Sequence, residues 1–175
     1  VLEAAIGNEP LTGTLGIAHT RWATHGVPSD VNAHPHADCS NNFYVVHNGI
    51  IENAGLLRKE LLGKRHTFSS ETDTEVVSHL IEEGYELRKS FEGAVRHAVS
   101  RIVGAYGIAA VSCKDPDTLI AARLGSPLVI GSVGQGEYIV ASDVAAILRH
   151  TREVIYIQDH EMVILERGGY RIIAQ

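Results

Sequence analysis

The hydrophobic pattern of this chain changes once, at about residue 104, from helical spacing to short apolar runs. Three stretches before that point carry apolar residues on one helical face, which predicts helices over 50–62, from 72 onward and from about 90 to 103. Seven apolar runs follow, separated by turn residues, and predict strands at 105–112, 118–123, 128–132, 138–142, 154–156, 162–166 and 170–173. Tight turns make such strands antiparallel, and separate blocks of helices and hairpins predict an α+β fold.

Two of the predicted helices carry signals at their ends. The first has Leu56, Leu57 and Leu61 on one face and stops at Gly63, a residue that commonly ends helices. The second opens with Thr-Asp-Thr-Glu at 72–75, the pattern of a capping box, in which the Glu side chain reaches back to the helix start.

The first quarter of the chain has a different character. Five histidines lie between positions 19 and 47 among small polar residues, which is a poor composition for a regular element. We expect a short strand at 14–19, an irregular loop at 21–42 and a second strand at 43–47. A loop of that length inside a compact domain is usually functional.

Arg21 is the first candidate for substrate binding, within the segment HTRWATHG at 19–26. A guanidinium binds a carboxylate through two parallel hydrogen bonds, and Thr24 and His25 could add donors. The alternative is a solvated arginine on a loop. Trp22 beside it and the length of the loop bring the two interpretations close to even.

Asn48 and Gly49 form the second candidate. Asn-Gly is a common turn dipeptide, so a turn between the strand and the first helix explains it. The functional alternative is an oxyanion hole, formed by the Asn amide and the next backbone N–H at a strand end. Asp73, in the predicted first turn of its helix, is favoured there by the helix dipole and could also bind a substrate ammonium.

We expect no metal site. His34-Pro35-His36 is the obvious candidate, but no Cys or carboxylate stands at the usual zinc spacing, so packing in a polar loop is favoured. Cys39 stands alone in sequence, and Cys113 ends an apolar strand where burial is expected. Cys39 has acidic Asp38 beside it and lacks the adjacent basic residue that activates a thiol.

Composition narrows the class of protein. The net charge of −6 argues against a nucleic-acid-binding face, and no apolar stretch is long enough for a membrane helix. Two cysteines in 175 residues do not make a disulfide scaffold, so a reducing cytoplasm is the expected compartment.

The motifs HTRWATHG, NAHPH, VVHNGIIEN and SETDTE occur in this order, followed by GAYG, LIAARLGSPLVIG and ASD. Together they resemble the glutaminase domain of the glucosamine-6-phosphate synthases, over nearly the whole chain. That resemblance implies a four-layer αββα sandwich with two antiparallel sheets, of the N-terminal-nucleophile hydrolase type. It also implies no cofactor, a C-terminal sugar isomerase domain and a homodimer at full length.

The same resemblance implies roles for individual residues. Arg21 would bind the α-carboxylate of L-glutamine, with help from Thr24 and His25, and Asp73 would bind the α-ammonium. The Asn48 amide and the Gly49 N–H would form the oxyanion hole. Two further positions have looser assignments: Trp22 would lie in a loop that closes over glutamine, and His34 matches a position near the site.

The nucleophile of that family is an N-terminal cysteine, whereas residue 1 here is Val1. We therefore expect residues 1–175 to be a glutaminase domain that lacks its first segment, without the isomerase domain. Two alternatives stay open: another class II amidotransferase with a different acceptor, and an inactive glutamine-binding module.

Overall fold

The computed structural model of the chain describes residue 7, residues 12–21 and residues 26–175. The strands of this part are β1 (His36–Ala37), β2 (Phe43–Ile51), β3 (Gly104–Ser112), β4 (Leu119–Leu124), β5 (Val129–Gly134), β6 (Glu137–Ala141), β7 (Val154–Tyr156), β8 (Glu161–Glu166) and β9 (Gly169–Ala174). Its helices are α1 (Ala54–Gly63), α2 (Glu75–Arg88) and α3 (Phe91–Arg101), and a 3-10 turn spans Val144–Ala146. None of these helices is both long and apolar enough to cross a membrane.

The described strands form two antiparallel sheets. The larger has the order β1-β2-β3-β4-β8-β9, and the smaller has the order β6-β5-β7. Strands that follow one another along the chain are mostly neighbours, as short hairpin connections require.

Both faces of the larger sheet are buried at its centre, as strand β4 shows. Ile120 and Ala122 belong to the core shared with the three helices. Ala121, which points the opposite way, belongs to a second core shared with the smaller sheet. On the far side of the smaller sheet, fully buried Ile147 lies against Gly131. The layers are therefore helices, large sheet, small sheet and the segment around the 3-10 turn.

All seven strands predicted after residue 104 are confirmed, with ends that differ by at most two residues. The three helices are also present, but the first starts at Ala54 instead of 50, because residues 48–51 continue β2. Leu57 and Leu61 are buried, whereas Leu56 is 76% exposed, so its assignment to the buried face is wrong.

The interpretation of Asn48-Gly49 as a turn is wrong. Both residues lie inside β2, where Asn48 pairs with Gly107 and Gly49 with Tyr106. Gly49 has φ +131°, and a Cβ there would lie 2.0 Å from the Ala105 carbonyl oxygen. The glycine is needed for close strand approach instead of chain reversal.

The strand predicted at 14–19 is also wrong, since residues 12–21 contain no strand. A strand needs a neighbour that completes its hydrogen bonds, and an apolar pattern cannot reveal whether one exists. Residues 14–18 instead line a cavity of about 650 Å³ beside the smaller sheet. The irregular loop at 21–42 is confirmed where it is described, except for the two-residue strand β1.

Candidate active site

A small polar cavity lies where the end of β2 meets the segment before α2. Its volume of about 160 Å³ corresponds to roughly five water molecules, which suits an amino acid better than a nucleotide. Its described lining residues are His19, Thr20, Arg21, His34, His47, Asn48, Gly49, Thr72, Asp73 and Thr74.

Arg21 lines this cavity and also holds the loop that follows it. Its Nη2 donates to the Gly26 carbonyl and its Nη1 to the Val27 carbonyl, both at 3.1 Å. Asn32, which is buried, continues this anchoring: its Nδ2 donates to the Val27 carbonyl, and its Oδ1 accepts from the Glu71 N–H at 2.9 Å. The arginine loop is thereby fixed to the segment that leads into Asp73.

Asp73 is buried and bridges two elements. Its Oδ2 accepts a hydrogen bond from the Ile51 N–H at 2.8 Å, which ties the segment before α2 to the end of β2. The prediction that Asp73 lies in the first helical turn is wrong, because α2 begins at Glu75 with Thr74 as its N-cap.

Glu75 replaces the predicted capping box with a different set of bonds. Its carboxylate accepts from the N–H and hydroxyl of Ser69 and from the N–H and hydroxyl of Ser70, at 2.6–2.9 Å. Burial raises its pKa, but the bonds from His79, Ser69 and Ser70 outweigh burial and hold that pKa well below its usual range. A charged Glu75 thus fixes the loop that positions Thr72 and Asp73.

Asn48 is oriented by a histidine. His19 Nε2 lies 2.7 Å from Asn48 Oδ1, and a carbonyl oxygen can only accept, so the histidine donates. With Oδ1 engaged in this way, the Nδ2 group of the same amide is the donor left for a ligand. That orientation is the one an oxyanion hole requires.

Three further histidines surround the cavity and are neutral at neutral pH. Burial is the largest cause that lowers the pKa of His34 to about 3, and repulsion from the neighbouring basic groups of His19, His36, His47 and Arg21 in their protonated forms lowers it further. Burial also lowers the pKa of His47 to about 4, while that ring bonds Thr74 Oγ1 at 2.9 Å. The pKa of His36 is lowered by burial as well, and its Nε2 lies 3.0 Å from Thr72 Oγ1.

Because their pKa values are low, His34 and His47 add no positive charge to the cavity at neutral pH. Among its described lining residues, Arg21 carries a positive charge and Asp73 a negative charge. One cation and one anion in a small polar site are complementary to a zwitterion such as a free amino acid.

The structure brings five of the predicted site residues to this cavity: Arg21, His34, Asn48, Gly49 and Asp73. The other three, Trp22, Thr24 and His25, lie outside the described residues. Sequence reasoning missed four supporting residues: His19, His47, Thr74 and Glu75. Each of them lies in the same sequence motif as a predicted site residue, so its closeness in sequence to that residue was the signal that could have indicated it.

The two cysteines do not line the cavity. Cys113 is exposed, so its predicted burial is wrong. Cys39, expected to stand alone, is 3.6 Å from both His66 Nδ1 and His79 Nδ1. These histidines are distant in sequence, so no local spacing indicated the contact.

The two-sheet sandwich is that of the class II glutamine amidotransferases, as the sequence predicted. The glutamine phosphoribosylpyrophosphate amidotransferase of B. subtilis superposes with a TM-score of 0.76 at 26% identity, over 89% of this chain and 34% of that chain. A glutamine aminotransferase class-II domain protein from Silicibacter pomeroyi shares the fold with a TM-score of 0.60 at 20% identity, over 81% and 70% of the two chains.

Residues 19–149 match the glutamine amidotransferase domain, and the chain belongs to that family. A curated relative from Methanothermobacter thermautotrophicus, glutamine–fructose-6-phosphate aminotransferase (isomerizing), is 53% identical over 98% of this chain and 29% of its own length. A protein of the same name from Chlorobaculum tepidum is 50% identical over 95% and 27%. The chain thus spans less than a third of the curated relatives that it matches.

Proposed function

We propose that the chain is the glutamine-hydrolysing domain of a glutamine–fructose-6-phosphate aminotransferase. It converts L-glutamine to glutamate and ammonia, and the ammonia is used to make glucosamine 6-phosphate. The observation that carries this proposal is that Arg21 and Asp73 line one cavity of amino-acid size, together with the Asn48 amide that His19 orients.

Each end of glutamine has a matching group in this assignment. The Arg21 guanidinium binds the α-carboxylate, and the Asp73 carboxylate binds the α-ammonium, each by charge-assisted hydrogen bonds. The uncharged side chain then extends toward Asn48 and Gly49. The loop residues Trp22, Thr24 and His25 complete and cover the site in this proposal, and His34 contributes a neutral, partly buried wall.

The hydrolysis requires a nucleophile, and Cys39 and Cys113 both lie away from the cavity. We propose the thiolate of an N-terminal cysteine, with its own α-amine as the base. The sulfur adds to the amide carbon, and the oxyanion that forms is held by Asn48 Nδ2 and the Gly49 N–H. The amide nitrogen takes the proton that the α-amine removed from the thiol and leaves as ammonia, and water then hydrolyses the thioester to glutamate.

The acceptor and the assembly are part of the same proposal. Relatives at about 50% identity are named glutamine–fructose-6-phosphate aminotransferase, whereas the phosphoribosylpyrophosphate amidotransferase is 26% identical. This difference favours fructose 6-phosphate as the acceptor of the ammonia. The remaining length of those relatives fits a C-terminal isomerase domain in a homodimer. A cytoplasmic location agrees with two free thiols.

Ammonia release by the full-length enzyme tests the proposal. Asn48→Ala should lower kcat by about 10²–10³ because one oxyanion donor is removed. Asn42→Ala removes the same kind of side-chain amide just before the start of β2, and it should leave kcat unchanged. Equal kcat values for the Asn48 variant and the wild type would remove Asn48 from the mechanism. Absence of glucosamine 6-phosphate in the products would favour a different acceptor.

A further inference from the structure

Four potential metal ligands meet outside the glutamine cavity, beside α2, with burial that ranges from exposed to fully buried. They are Cys39, His66, His79 and Glu82, and their ligand atoms all lie within 4.8 Å of one another. Cys39 comes from the loop before β2, His66 follows α1, and the other two stand on α2. Among the residues that the structure describes, this is the group whose donors meet the geometry of an ion site.

Four of the six distances between ligand atoms are close to those of a tetrahedral zinc site. Bonds of about 2.3 Å to sulfur and 2.0–2.1 Å to nitrogen or oxygen place sulfur and nitrogen about 3.5 Å apart, and nitrogen and oxygen about 3.3 Å apart. Cys39 Sγ lies 3.6 Å from Nδ1 of His66 and 3.6 Å from Nδ1 of His79. Glu82 Oε2 lies 3.0 Å and 3.6 Å from the same two nitrogens.

The surroundings of the four ligands also suit an ion. Both histidines point Nδ1 into the group while Nε2 lies 3.8 Å from a second carboxylate, Glu83 for His66 and Glu75 for His79. Carboxylates behind the far ring nitrogen commonly orient zinc-binding histidines. The Thr67 N–H, 3.4 Å from the sulfur of Cys39, supports a thiolate.

One atom of the group lacks the partner that its burial demands. Glu82 Oε2 is buried and accepts no hydrogen bond of acceptable geometry, even though imidazole nitrogens lie close to it. Buried carboxylate oxygens are normally paired, or they coordinate metals. A thiolate and a carboxylate together would neutralise the two charges of a divalent ion, so such an ion would add no net buried charge.

We propose that Cys39, His66, His79 and Glu82 bind one divalent zinc-type ion in a closed, structural site. Four protein ligands leave no open position, which distinguishes this site from a catalytic one. His66 and Glu82 also line an open groove of about 510 Å³, which gives the ion an access route.

The ion would fasten two separate segments to α2. The β1–β2 loop, the connection after α1 and the helix itself are brought together by one centre. His79 lies one helical turn from Glu75, which fixes the loop leading to Asp73. The site therefore stabilises the helix whose N-terminal side forms one wall of the glutamine cavity, and it does so whether or not glutamine is hydrolysed.

Metal content and thermal unfolding of the full chain test the proposal. After equilibration with zinc and removal of free metal, elemental analysis should find one zinc per chain. Zinc at one hundred times its Kd should raise Tm by about 5–10 °C, and a chelator should reverse this rise. Less than about 0.1 zinc per chain, with no change in Tm, would overturn the proposal.

Two variants provide a matched comparison of the two free cysteines. Cys39→Ser should weaken zinc binding by more than about 100-fold, since even changes behind the ligands cost 10–100-fold. Cys113→Ser should bind zinc like the wild type. Equal zinc affinity in the two variants would overturn the assignment of Cys39.

Cobalt gives a readout that does not depend on how well Cys39→Ser folds. In the Cys113→Ser background Cys39 is the remaining thiol of residues 1–175, which are the chain used for this experiment. Cobalt bound there should show a thiolate-to-metal charge-transfer band and the visible spectrum of tetrahedral coordination. A cobalt complex without the charge-transfer band would show that Cys39 is not a ligand, and the proposal would be wrong.

Discussion

Replacing Gly49 with alanine tests the strand geometry that builds the oxyanion side of the cavity. The new Cβ would lie 2.0 Å from the Ala105 carbonyl oxygen and 2.8 Å from its carbon, both shorter than real Cβ contacts. The residue also has φ +131°, where side chains are strained. Strands β2 and β3 would therefore have to separate at the pair formed by Gly49 and Tyr106.

The expected destabilisation follows from two contributions. The backbone conformation costs about 1–3 kcal/mol for a residue with a side chain. Separation of the strands weakens neighbouring ladder hydrogen bonds, at about 1 kcal/mol each. The sum is about 3–5 kcal/mol, which for a chain of this length lowers Tm by about 6–20 °C.

Thermal unfolding followed by circular dichroism measures this change, and Gly55 supplies a matched control. Gly55 is exposed in α1, and a Cβ there meets nothing within 4 Å. Gly55→Ala should therefore raise stability by about 0.5–1 kcal/mol, as expected for Gly to Ala in a helix. A Gly49→Ala protein that melts within about 2 °C of the wild type would refute the close approach of the two strands.

Three more predictions concern charge at the site. The folded-state pKa values of His34 and His47 lie below the unfolded value of 6.5, so the unfolded chain binds more protons as pH falls. The free energy of unfolding should then decrease between pH 6.5 and 4.5, by up to about 1.4 kcal/mol per pH unit for each histidine. The free energy of unfolding, measured by denaturant titration at several pH values, should change less with pH in His34→Gln than in the wild type. An unchanged pH dependence would show that His34 does not contribute to it. Arg21→Ala should raise the KM for glutamine at least about 10-fold while Tm changes little, and exposed Arg152→Ala should leave KM unchanged; equal values would exclude the carboxylate contact. Glu75→Gln weakens four charge-assisted bonds and should lower stability by about 2–4 kcal/mol in urea unfolding, whereas a loss below about 0.5 kcal/mol would show that the carboxylate is not a buried acceptor.

Repeated patterns made the second half of the chain predictable from sequence. The strands after residue 104 are bounded by turn residues, and each is apolar enough to be recognised without its partner. Strand β2 was predicted too short, because Asn48 and Gly49 suggest a turn in isolation. Only the position of Ala105 shows why a glycine lies within a strand there.

Residues of the cavity could be predicted from sequence where a motif contains a side chain that can bind part of an amino acid. Arg21, Asn48 and Asp73 have side chains that suit an amino-acid substrate, and the structure brings them to one cavity. Other features depend on long-range contacts that no local spacing encodes. The Asp73 bond to Ile51 and the approach of His66 and His79 to Cys39 join residues 22 to 40 positions apart.

The central claim is that Arg21 recognises the carboxylate of L-glutamine. Its most direct test is calorimetric titration of the full-length enzyme, in a variant whose nucleophile has been removed so that the ligand is not consumed. The protein that retains Arg21 should bind L-glutamine about 10–150-fold more tightly than it binds the analogue in which an amide replaces the α-carboxylate. This ratio corresponds to about 1.5–3 kcal/mol, as expected for a charged hydrogen bond. In the Arg21→Ala protein the two ligands should bind equally. A preference for the carboxylate that survives in Arg21→Ala would contradict the account.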